Sequence, residues 1–83
     1  MVKMYTTNWC PDCRRAKHFL SERGIELEEI NIDESPDAED LIMSVNDGRR
    51  VVPTFDMNGE FFACSPFDPD LLAEKFRVSL NPR

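Results

Sequence analysis

Val2-Lys3-Met4-Tyr5-Thr6, the loop Thr7-Asn8-Trp9, and the run Cys10-Pro11-Asp12-Cys13 leading on to Leu20 form the stretch that decides the fold. Val2 to Thr6 alternates apolar and polar side chains and reads as a short strand. Pro11 suits the first position of a helix, where its missing N–H costs nothing. From there Cys13, Ala16, Phe19 and Leu20 recur at helical spacing and make one apolar face. Gly24 supplies a stop just past the helix end. A strand therefore runs into a helix whose first turn holds two cysteines.

That placement has a chemical use. Thiol–disulfide exchange needs one thiolate to attack and a second thiol to resolve the mixed disulfide. Cys10 sits where unsatisfied backbone N–H groups and the positive end of the helix dipole stabilise an anion. Cys13 lies one turn later on the same face, within reach of its sulfur. The expected catalytic pair is Cys10 as nucleophile and Cys13 as resolving thiol. The same spacing also serves as half of a zinc site. Two more ligands would then have to come from Cys64, His18 or carboxylates, and no metal is expected. Arg14, Arg15, Lys17, Arg49 and Arg50 offer a positive region around the pair, against the plainer reading of a solvated, mostly acidic surface.

Working outward, Leu27 to Ile32 reads as a second strand with Ile30 and Ile32 on one side. Ser35-Pro36 opens a second helix as cap and first residue. Leu41, Ile42 and Val45 are expected on its buried side, with Gly48 at its end. Val51 to Met57 and Glu60 to Ala63 are apolar runs joined by Asn58-Gly59, a strong hairpin signal. The last helix begins at Ser65-Pro66 or Asp68-Pro69, with the second favoured, and buries Leu71, Leu72 and Phe76. The expected architecture is α/β, in the order β-α-β-α-β-β-α. A parallel pair from the first strand–helix–strand unit is extended by the antiparallel hairpin into a four-stranded mixed sheet flanked by helices.

At 83 residues the chain has room for one domain, 1–83. The net charge of −6 speaks against nucleic acid, which needs a basic face. No stretch approaches the roughly 20 apolar residues of a membrane span, and the N-terminus lacks a signal-peptide pattern. Three cysteines do not make a stapled secreted scaffold. A cytoplasmic monomer is expected. Pro53, within an apolar run, fits a strand start or edge. X–Pro bonds are cis in only about 5% of cases, so residue physics alone favours a trans bond there.

Taken together, Tyr5-Thr6-Thr7-Asn8-Trp9-Cys10-Pro11-Asp12-Cys13, Val52-Pro53-Thr54 and Asn58-Gly59 resemble the glutaredoxin family of the thioredoxin fold over nearly the whole chain. Within it, Tyr5-Thr6-Thr7, Trp9-Cys10, and Ser44 to Gly48 running into Arg50 and Val52-Pro53-Thr54 are most similar to the mycoredoxins. The resemblance implies a cis Pro53, pairing of the Val52 backbone with substrate, and first attack by Cys10. It marks Trp9, Pro11, Asp12, Arg50, Val52 and Pro53 as substrate-binding, with Arg50 matched to an arginine that would pair with a substrate carboxylate.

The sequence departs from glutathione-linked members at three points. Asp12 stands in place of an aromatic, Thr7 in place of a carboxylate-holding lysine, and Ala63-Cys64 in place of a Gly-Gly pair. Ser65-Pro66-Phe67-Asp68-Pro69-Asp70 partly resembles the corresponding run of the redoxins that serve ribonucleotide reductase. The implied function is reduction of protein disulfides, or of mixed disulfides with a small thiol, with mycothiol or glutathione as electron donor and no bound cofactor. One alternative is an electron donor to ribonucleotide reductase or another reductase, itself fed by a partner flavin-dependent disulfide reductase of the thioredoxin reductase type. Another is an iron–sulfur carrier, which Pro11 and the available Cys13 disfavour. Cys64 is expected to be a small buried hydrophobe near the active-site end.

Overall fold

Alternation along the first strand divides the interior into two packed clusters. The computed structural model describes residues 1–81. Strand β1 spans Val2–Thr6. Successive side chains of a strand point to opposite faces, so Met4 and Tyr5 serve different clusters.

Helix α1, Pro11–Ser21, follows β1 with Pro11 in its first turn. Its periodic residues Cys13, Ala16, Phe19 and Leu20 are all buried. Strand β2, Leu27–Asn31, returns parallel to β1, with Val2 opposite Leu27 and Thr6 opposite Asn31. Helix α2 spans Pro36–Val45 and is capped by the Ser35 hydroxyl, which accepts the Ala38 N–H at 3.3 Å.

Strands β3, Thr54–Met57, and β4, Glu60–Ala63, form the hairpin that Asn58-Gly59 signals. Asn58 and Gly59 both take positive φ, 55° and 95°, as a tight turn of this hand requires. β3 also pairs antiparallel with β1, placing Met4 opposite Phe55. The sheet order is β2-β1-β3-β4. Helix α3, Pro69–Phe76, closes the order, and Asp68 caps it by accepting the Asp70 and Leu71 N–H groups. Of the two candidate starts, Asp68-Pro69 is the one used.

On one side of the sheet α1 and α3 meet Met4 and Phe55, together with Cys64 and Leu72. Phe55 stacks on Phe62 at 5.3 Å between ring centroids and meets Phe76 edge-on at 5.6 Å. The second cluster gathers Tyr5, Ile32, Ala38, Ile42 and Val52 around the two cysteines. Fully burying a side chain such as Leu20 stabilises by about 1.5–3 kcal/mol.

Two expectations need correction. Val45 is 38% exposed rather than buried. The inward row of α2 runs Ala38, Ile42 and Asn46 at steps of four, and Val45 lies beside it. Asn46 continues the row through Nδ2, which donates to the Ile42 carbonyl at 2.9 Å and the Thr54 hydroxyl at 3.2 Å. The strand read from Val51 begins only at Thr54. Pro53 carries no N–H for a ladder, so Val51 to Pro53 form a loop at the sheet end. No helix among the described residues is long and apolar enough to cross a membrane.

Candidate active site

Cys10 is the cap of α1. Its backbone is extended, φ −92° and ψ 110°, and its Sγ accepts the backbone N–H of Cys13 at 3.0 Å. The first N–H groups of a helix lack internal partners and carry the positive end of its dipole. Here a sulfur takes the place usually filled by a side-chain oxygen. The Cys10 thiol also donates to the Val52 carbonyl at 3.7 Å. The Val52-Pro53 peptide that follows is cis, as the resemblance implies, and Ser65-Pro66 is a second cis bond that the sequence did not signal.

The two thiols differ in surroundings. Both are buried. Burial, followed by the hydrogen bond with Cys10, pushes the Cys13 thiol up to about 12, from an ordinary value of 9.0. Burial favours the protonated Cys13 thiol, while Cys10 Sγ accepts one helix-end N–H, that of Cys13 itself. A cavity of about 160 Å³ opens beside Cys13, between Thr6, Thr7, Arg14 and Lys17. Thr7 lines it, and among the described residues its Oγ1 is buried without a hydrogen-bond partner.

Around the pair the rim is uneven. Trp9, 62% exposed, stands next to Cys10, and Pro11 is exposed beside it. Val52 and Pro53 are buried behind. Asp12 turns toward the segment before α3, accepting the Phe67 N–H at 3.2 Å and the Ser65 hydroxyl at 3.4 Å. Arg50 lies between two carboxylates, pairing with Asp33 and, at 2.5 Å, with Glu39. Asp33 also accepts the indole N–H of Trp9 at 3.2 Å.

The positive region anticipated around the cysteines is largely neutralised. Arg15 pairs with Asp12 at 3.3 Å, Lys17 with Glu29 at 2.8 Å, and Arg50 with Asp33 and Glu39. Arg14 and Arg49 make no ion pair among the described residues. His18 pairs with Glu22 at 3.2 Å on the exposed side of α1. Among the described residues no three His, Cys, Asp or Glu side chains converge as metal ligands would.

Sequence reasoning passed over Asp33. Its partners come from residues 9 and 50, far apart in sequence, so no local spacing signals it. Cys64 is 1% exposed in the cluster around Phe55, and its sulfur accepts the Asp68 N–H at 3.3 Å.

Comparison with known proteins agrees with this geometry. The family model described as glutaredoxin matches residues 2–62. The chain is 36% identical over 73 residues to mycoredoxin 1 of Corynebacterium glutamicum, covering 88% of this chain and 90% of that protein. It is 38% identical over 74 residues to the glutaredoxin-like protein NrdH of Lactococcus lactis, covering 89% and 97%. Among solved structures, the NrdH-redoxin of Escherichia coli superposes with a TM-score of 0.74 at 27% identity, covering 88% of this chain and 91% of that one. The capped cysteine pair, the four-stranded sheet and these likenesses agree: the chain belongs to the glutaredoxin family of thiol–disulfide oxidoreductases.

Proposed function

We propose that the chain reduces protein disulfides, or mixed disulfides between proteins and a small thiol, with Cys10 as nucleophile and Cys13 as resolving thiol. The observation that carries this reading is the Cys13 N–H held against Cys10 Sγ at 3.0 Å on the first turn of α1. That donor stabilises negative charge on Cys10 and keeps the resolving residue in register with it. Cys10 thiolate attacks one sulfur of the substrate disulfide, that S–S bond breaks, and the departing thiolate takes up a proton. Cys13 then loses its proton and attacks Cys10 Sγ, releasing the second thiol and leaving a Cys10–Cys13 disulfide.

Two electrons restore the dithiol. Likeness to the mycoredoxins supports mycothiol over glutathione as their source. Trp9, Pro11, Asp12, Arg50, Val52 and Pro53 are the proposed substrate-binding residues, with the Val52 backbone pairing to the substrate chain. A reducing compartment such as the cytoplasm suits a chain with three cysteines, two of them the proposed redox pair.

A second reading, electrons from a flavin-dependent disulfide reductase, is favoured by one observation. Asp12 bonds to Ser65 and Phe67, within the run that resembles redoxins of that type.

The test is the Cys13→Ser variant mixed separately with mycothiol disulfide and glutathione disulfide, with adducts followed by mass spectrometry. Fast, selective trapping of one thiol on Cys10 identifies the donor. Slow trapping of both moves the assignment to the reductase-linked reading. Unmodified Cys10 with both disulfides removes mixed-disulfide reduction.

A further inference from the structure

Two segments far apart in the chain flank Cys10: Trp9 precedes it, and the Val52 carbonyl accepts from its thiol. Trp9 belongs to the β1–α1 loop, and Arg50 precedes the Val52-Pro53 peptide in the loop after α2. Neither segment is held by regular ladder bonds. Trp9 is 62% exposed, so packing alone fixes the indole weakly. One carboxylate reaches both. Asp33 Oδ2 accepts the Trp9 indole N–H at 3.2 Å, and Asp33 Oδ1 accepts from the Arg50 guanidinium. Arg50 is in turn drawn to Glu39 on α2 through its Nε. Asp33 itself is set by its own turn, where its N–H donates to Asn31 Oδ1 at 2.9 Å.

We propose that Asp33 is a positioning residue for exchange at Cys10, tying Trp9, next to that cysteine, to the segment from Arg50 to Val52 that also touches it. This rests on the assignment of Cys10 as the attacked and attacking sulfur. The arrangement also gives Arg50 a role different from binding a substrate carboxylate. Its charge is already matched by Asp33 and Glu39, so releasing it to an incoming anion would break two existing contacts. The consequence is that Trp9 and Arg50 are placed before substrate arrives, so binding does not have to order these two exposed side chains.

Substitution separates the two bonds. Asp33→Ala removes both. Asp33→Asn keeps a carbonyl oxygen for the indole N–H but loses the charge opposite Arg50. Because Trp9 is the only tryptophan, its fluorescence reports the placement of that side chain directly. The probe reaction is single-turnover reduction of insulin disulfides by the pre-reduced full chain. Cys10 alkylation by iodoacetamide, a small reagent that needs no contact with Trp9 or Arg50, is measured in parallel.

In Asp33→Ala, acrylamide quenching of Trp9 rises and insulin reduction slows about tenfold, as misplaced substrate contacts do, while alkylation stays within about twofold. Asp33→Asn restores quenching to the wild-type value and recovers only part of the rate. Wild-type quenching and insulin rate in a folded Asp33→Ala protein overturn the proposal. So does a loss of rate matched by an equal loss of alkylation, which marks general damage. Cys10→Ser in the same assay keeps the two readings apart: if it still reduces insulin, the assignment of Cys10 fails first.

Discussion

The carboxylate of Asp12 accepts the backbone N–H of Phe67 at 3.2 Å, tying the first turn of the helix that carries both thiols to the segment that leads into α3. Asp12 also accepts from the Ser65 hydroxyl and pairs with Arg15. Leaving a part-buried N–H without its acceptor costs about 1–3 kcal/mol, lowered here by water reaching a partly exposed site. Asp12→Ala is expected to lose about 1 kcal/mol of unfolding free energy in urea, with most of it recovered in Asp12→Asn, whose amide oxygen still accepts. Equal stability of Asp12→Ala and wild type would mean that the contact contributes nothing.

Burial of the Cys13 thiol makes stability depend on alkaline pH. In the folded chain Cys13 holds its proton up to about 12, whereas an ordinary thiol ionises near 9.0. Between these values the unfolded chain binds fewer protons than the folded one. Unfolding is then favoured as pH rises, and the stability present below pH 9 is lost on the way to 12. The unfolding free energy of the reduced protein, measured at a series of pH values, is expected to fall more steeply over this window than that of Cys13→Ala. Parallel curves for the two proteins would refute it.

Cys64 should be chemically silent while the chain is folded. It is packed among Met4, Leu20, Phe55 and Leu72, and burial raises its thiol above the ordinary value, with the charges of Asp68 and Asp12 acting the same way. A thiol that is protonated and covered reacts slowly with electrophiles. Brief treatment of the native protein with iodoacetamide, followed by peptide mapping, is expected to leave Cys64 unmodified and to modify it only after denaturation. Native-state labelling of Cys64 at the rate of Cys10 would show that the packing opens.

These expectations rest on features of unequal legibility. The helix starts were readable because a proline and its preceding cap act within a few residues, as at Cys10-Pro11, Ser35-Pro36 and Asp68-Pro69. The hairpin was readable for the same reason, its two positive φ values falling on Asn58 and Gly59. The cysteine pair carried the candidate site, since strand, loop and helix start lie within one short stretch. Val45 misled because an apolar side chain at the last turn was read as buried, while the polar Asn46 continues the inward row. Asp33 was invisible because its value lies in joining Trp9 to Arg50, a relation that exists only once the chain is folded.

Arg23 is a second residue of that kind. Nothing local in the sequence sets Arg23, just past the end of α1, apart from other basic residues, yet its side chain is only 7% exposed. Its Nε donates to the Ser79 carbonyl at 2.6 Å, one terminal nitrogen donates to the Phe19 carbonyl at 2.7 Å, and the other to the Leu80 carbonyl. The guanidinium also lies 3.6 Å from the centroid of the Phe19 ring. A planar group with five donors can make such a set at once, and a lysine cannot. Each charged hydrogen bond is worth about 1.5–3 kcal/mol when buried and less near solvent. Arg23→Lys is therefore expected to lose about 1–2 kcal/mol of stability and Arg23→Ala somewhat more. In both variants, amide exchange should quicken in the segment after α3 and stay slow in β1 and β3. Exchange that quickens uniformly through the sheet would show that Arg23 supports the whole core instead of fastening the segment around Ser79 and Leu80 to α1.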